Sequence, residues 1–104
     1  MNYIDELKQV IQRLHGVEAK HIESVPIIEI FQGRKVWDGI VEVFELIGHP
    51  KANRVYAWAH DTDDPECPRR HVTVLGLHPI QSARDAVRAA IVQEFRSGTA
   101  AEEA

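Results

Sequence analysis

Residues 36–58 read VWDGIVEVFELIGHPKANRVYAW, two β-rich runs on either side of the turn Gly48-His49-Pro50-Lys51-Ala52-Asn53. β-Branched and aromatic side chains suit a pleated, half-buried surface, and Gly, Pro and Asn suit turns, so the stretch predicts two central strands of a sheet. Strict alternation over 36–47 puts Trp37, Val41, Val43, Glu45 and Ile47 on one face and Ile40, Glu42, Phe44 and Leu46 on the other. Neither face is polar. A sheet with helices on one side only shows water a polar face, so this strand calls for a second cover, a partner subunit or a ligand. Gly39 is expected to mark a bulge.

The second run, 54–60, divides more sharply. Val55, Ala57 and Ala59 alternate with Tyr56, Trp58 and His60. Small side chains let a helix come close, so the alanine face is assigned to the helices. The Tyr56, Trp58 and His60 face, joined by Glu42 and Phe44 across the hairpin, is assigned to the opposite surface.

Outward from this hairpin, Ile4, Leu7, Ile11 and Leu14 recur at helical spacing between Asn2, a suitable N-cap, and Gly16, a suitable stop. A strand over 21–31 follows a polar linker at 17–20, and Pro26 restricts it to an edge of the sheet. Gly33 supplies the positive φ of the next turn. Beyond the acidic, proline-broken loop 61–69, a strand is expected over 71–77. Ser82 and Asp85 then start a helix whose buried stripe is Ala83, Val87, Ala90, Ile91 and Phe95. The order is α-β-β-β-β-α. Short connections favour an α+β two-layer sandwich, a four-stranded antiparallel meander with two helices on one face. A single domain is expected over 1–97, with a disordered acidic tail over 98–104.

At 104 residues the chain suffices for one hydrophobic core. Its net charge of −4 lacks the basic excess of a dedicated nucleic-acid binder. The order is near that of double-stranded RNA-binding domains, but it has an extra strand, and the start of the second helix offers only Arg84 where phosphates need several lysines. No run reaches the length of a membrane helix, the opening MNYIDELKQV lacks the pattern of a signal peptide, and the lone Cys67 suits a reducing compartment. The expected location is cytoplasmic, with no nucleic-acid and no membrane partner.

Four constellations bear on chemistry. Glu29, Glu42, Glu45, His60 and His71 fall on strands that should be neighbours, and a desolvated carboxylate beside an imidazole suits acid–base work. Cross-strand ion pairs with Arg34, Arg54 or Arg70 are the preferred account of these acids, although Trp37, Tyr56 and Trp58 could wall a pocket around them. His60, Asp61, Cys67 and His71 are zinc-ligand types without a zinc spacing, and the loop 61–66 lacks the glycine of a calcium loop, so no metal and no cofactor are expected. Cys67 in an acidic loop is a poor nucleophile, and Ser82 is accounted for as a cap.

On Trp37-Asp38-Gly39, Gly48-His49-Pro50, Tyr56-Ala57-Trp58 and the helix start Asp85-Ala86-Val87-Arg88-Ala89-Ala90-Ile91, the chain resembles small bacterial proteins of integron gene cassettes and mobile elements. The resemblance spans most of the chain, from Leu14 through the second helix. It implies a compact, often self-associating α+β protein and brings no catalytic residue with it. The leading expectation is a small binding or protein-interaction module, a homodimer using Trp37, Phe44, Tyr56, Trp58 and His71 as its interface or as a pocket for a small organic ligand. The alternatives are a small hydrolase or isomerase with Glu42 or Glu29 as base and His60 as proton carrier, and an immunity- or antitoxin-like partner of another protein.

Overall fold

The computed structural model describes residues 2–103, with side-chain surroundings through residue 93. The elements are α1 (Tyr3–His15), β1 (Glu18–Phe31), β2 (Arg34–Ile47), β3 (Arg54–Asp61), β4 (Arg69–Leu75) and α2 (Ala83–Glu103). The strands form one antiparallel sheet in the order β1-β2-β3-β4. This is the expected α+β meander, with Pro26 on an edge strand where its missing N–H costs least. The segment 17–20, expected as a linker, extends β1 instead, because Ala19 reaches the core beneath α1.

Local chemistry fixes the element ends. Asn2 Oδ1 accepts the Asp5 N–H at 2.8 Å, and Gly16 closes α1 at φ 71° with its N–H on the Gln12 carbonyl at 2.8 Å. Ser82 Oγ accepts the Asp85 N–H at 3.1 Å while Asp85 reaches back to the Gln81 N–H at 3.1 Å. Between β1 and β2 the loop is only Gln32 and Gly33, both at positive φ (52° and 77°), the pattern whose twist matches that of the flanking strands. The α2 backbone continues to Glu103; the expected tail, 98–104, falls on side chains outside those described, with Ala104 wholly outside.

Gly39 is not the bulge. Pairing skips at Ile22, between His21 and Glu23, and at Val36, between the Glu29–Trp37 and Ile30–Lys35 pairs. Gly39 pairs in register with Ile27, and its missing side chain is the seat of the Trp37 indole: a Cβ there would lie 3.0 Å from Trp37 Cη2.

The placement of the helices also differs from the expected arrangement with both on one face. Val43 pairs with Tyr56, Glu42 with Ala57 and Phe44 with Val55. Alternation therefore puts Val41, Val43, Tyr56 and Trp58 on one face, where they pack with Ile27 and with Ala83, Ala86 and Val87 of α2. Phe44, Leu46, Val55 and Ala57 lie on the other face, against Leu7 and Ile11 of α1. The sheet is sandwiched between the two helices in three layers. The second cover that β2 demanded is the chain's own α2.

Among the described residues no helix is long and apolar enough to cross a membrane.

Candidate functional site

On the α2 face, Tyr56 and Trp58 are buried, and Trp37 packs against them with its ring edge-on to Trp58 at 5.4 Å. These aromatics were expected on an open surface; α2 closes over them instead. Phe44 is on the α1 face, fully buried and edge-on to the His21 ring at 5.3 Å. The sheet thus separates Phe44 from Tyr56 and Trp58. The reason is register: a strand displaced by one residue relative to its neighbour exchanges its faces, and Tyr56 pairs with Val43, not with Glu42 or Phe44.

The carboxylates are engaged by partners from other elements than those expected. Glu29 takes Arg88 Nε at 2.6 Å and Arg84 Nη1 at 3.1 Å, which fastens α2 to β1. Glu42, buried on the opposite face, accepts on one oxygen both the Ser24 hydroxyl and His21 Nε2, the latter at 2.9 Å. Ser24 and His21 meet on the carboxylate and not each other, so the histidine is not placed to activate the serine. His60 alternates with Ala57 and Ala59 and so lies on the α2 face, with its Nδ1 3.3 Å from the Asp61 carbonyl. The sheet stands between it and Glu42.

His71 pairs with Ala59 and faces α1, where its Nε2 lies 2.6 Å from Glu6 Oε2. Arg69 Nε shares that oxygen at 2.8 Å, and its guanidinium lies over the Tyr3 ring at 5.4 Å. The hydrogen bonds from His71 and Arg69 hold the Glu6 carboxyl below the ordinary carboxylate range. One turn earlier, the Tyr3 hydroxyl accepts the Ala59 N–H at 2.8 Å, just past Ala57, where the pairing of β3 with β2 ends. Burial raises the Tyr3 phenol above its usual value, and the Glu42 charge adds to the shift. These contacts bind α1 to β3 and β4 and leave little free for a substrate. His60 and His71 face opposite sides, Cys67 is exposed, and among the described residues no three His, Cys, Asp or Glu side chains gather as a metal-ligand set.

The surface that stands out lies elsewhere. β1 and β2 pair over 14 residues each, about 46 Å of strand, whereas the 13 residues of α1 span about 20 Å. β3 pairs with β2 only from Glu42 to Glu45. The end of the β1–β2 hairpin therefore projects as an arm beyond α1. It exposes Ile28 (51%), Ile30 (65%), Phe31 (64%), Val36 (44%) and Ile40 (53%). Pairing of Pro26 with Ile40 and alternation along β1 put Pro26, Ile28, Ile30 and Ile40 on one face. The sequence signal was present in the apolar run Ile27-Ile28-Glu29-Ile30-Phe31, interrupted by Glu29 alone; its exposure depends on how far α1 reaches.

Compared with protein-family models, curated proteins and solved structures, the chain matches none.

Proposed function

We propose that the protein is a small interaction module that works as a homodimer joined through its β1–β2 arms. The observation that carries this reading is the apolar face of the arm. Ile28, Ile30 and Ile40, each half exposed or more, offer on the order of 300 Å² of apolar surface on that one face, the size of the largest patch a monomer ordinarily shows, with exposed Phe31 on the reverse of the same arm. A stable interface buries about 800 Å² per partner, so in this reading the isoleucines form its centre and the surrounding polar side chains supply the remainder. That rim carries both signs of charge in the exposed Lys35–Asp38 pair at 3.1 Å, as a self-complementary two-fold contact requires. Pro26 interrupts the hydrogen-bonding edge of β1, so the arms meet face to face.

The acid–base reading gains no observation from the same geometry, since Glu29 and Glu42 are both held by internal partners and lie on opposite faces of the sheet. Sedimentation equilibrium of the full chain and of the Ile30→Glu/Ile40→Lys variant tests the proposal. A dimer that the variant dissociates into folded monomers is expected. A monomeric wild-type chain at high micromolar concentration, or a variant that still dimerises, overturns it. The immunity- or antitoxin-like reading differs in the occupant alone: a monomer that captures a different protein through Ile30 and Ile40 would replace the homodimer.

A further inference from the structure

Beside the start of α2 lies an open cleft of about 440 Å³ on the same face as the buried aromatics. Its floor is apolar, formed by Val25, Ile27 and Val43, and its polar lining includes Arg54, Tyr56 and Ser82. Tyr56 is 3% exposed, yet its hydroxyl makes no hydrogen bond among the described residues. The Tyr56 ring is buried while its hydroxyl meets solvent in this cleft, where a ligand oxygen can replace water as its partner. Arg54, two residues earlier on the same face of β3, makes no ion pair among the described residues. At the head of α2, the Ala83 and Arg84 N–H groups precede the first intrahelical bond, which runs from the Ala86 N–H to the Ser82 carbonyl. Arg84 itself is engaged by Glu29 and by the Ile28 carbonyl at 3.2 Å.

We propose that this cleft binds a small organic carboxylate with an apolar body. The carboxylate would be held by the Arg54 guanidinium, the Tyr56 hydroxyl and the N-terminal amides of α2, and the body would lie on the valine and isoleucine floor. Charge-assisted hydrogen bonds to arginine are the strong ones, and a helix N-terminus favours an anion. The cleft volume is in the range of small-molecule sites. Glu23 also lines the cleft, in the cross-strand row of Val43 and Tyr56, so it repels a second anionic group and favours a ligand that carries an amine beside its carboxylate. Hydrophobic α-amino acids meet each of these demands.

The test is titration of the full chain, followed by amide NMR, with phenylalanine, 3-phenylpropionate and phenethylamine, which share an aromatic body and differ in charge. Saturable shifts at Tyr56, Ala83 and Arg84 are expected with the two carboxylates, tighter for phenylalanine, and none with the amine. Arg54→Gln, at an exposed position, is expected to weaken binding roughly tenfold, and Tyr56→Phe, which keeps the packed ring, several-fold. Absence of shifts with every probe, equal binding of phenethylamine, or affinity unchanged in Arg54→Gln overturns the proposal. Val25 and Ile27 of the cleft alternate with Pro26 and Ile28 of the arm and so face the opposite side of the sheet, and Arg54→Gln leaves Ile30 and Ile40 in place, so the sedimentation result stands or falls separately.

Discussion

Removing one oxygen atom, in Tyr3→Phe, tests how α1 is joined to the sheet. The substitution keeps the ring beneath the Arg69 guanidinium and deletes only the acceptor of the Ala59 N–H. That amide lies just beyond the last residue through which β3 pairs with β2. Leaving a buried donor without an acceptor costs about 1–3 kcal/mol, and the partial exposure of Tyr3 puts the value here near the lower half, about 1–2 kcal/mol. In a domain of this size that corresponds to a fall in Tm of roughly 5–10 °C. Thermal unfolding followed by circular dichroism measures the loss, and hydrogen exchange locates it, with the Ala59 amide expected to exchange at least about tenfold faster. A Tm within about 1 °C of wild type, with Ala59 exchange unchanged, would refute the assignment of the hydroxyl as that acceptor. The wild-type phenol gives a second check. Its pKa is raised, so the folded state holds the proton longer than the unfolded chain; the associated stability is present below pH 10 and is lost as the pH rises from there through the folded pKa. Tyr3→Phe removes that alkaline dependence.

Gly39→Ala places a methyl group 3.0 Å from Trp37 Cη2, so the indole must shift by a few tenths of an ångström against Trp58; a loss of about 1 kcal/mol and a changed near-ultraviolet tryptophan spectrum are expected. Acid unfolding should proceed in two stages. His15 is depressed by burial and then by the His49 charge, so the unfolded chain binds its proton first and stability falls as the pH drops below 6.5. Glu6 is depressed by its His71 and Arg69 hydrogen bonds, and its contribution, present above pH 4.5, is lost as the pH falls through the folded pKa. Urea melts across this range, with His15→Gln and Glu6→Gln each flattening its own stage, check both assignments.

Much of the fold was legible because the relevant interactions are local. Asn2 and Asp5, Ser82 and Asp85, and the Gln32-Gly33 turn each act within four residues, and they delimit elements whose helical or alternating pattern is clear. The candidate site was less legible. Tyr56 was singled out and does border a cleft, but Trp37, Phe44, Trp58 and His71 are used in packing or in ion pairing. Glu29 and Glu42, singled out as candidate bases, are both buried and ion-paired or hydrogen-bonded within the fold. Their partners, Arg84, Arg88, His21 and Ser24, could not be read from alternation, because long side chains reach across elements whose packing angle the sequence does not state.

The sequence by itself determined that residues 36–58 form two strands of an antiparallel sheet with both faces of β2 requiring cover. Only the tertiary structure decided what provides that cover. Pairing Val43 with Tyr56 sends Tyr56 and Trp58 under α2 and leaves Ala57 under α1, whereas a register shifted by one residue would exchange those faces. The difference in rise between strand and helix then leaves the arm uncovered, because 13 helical residues cannot follow 14 extended ones to their end.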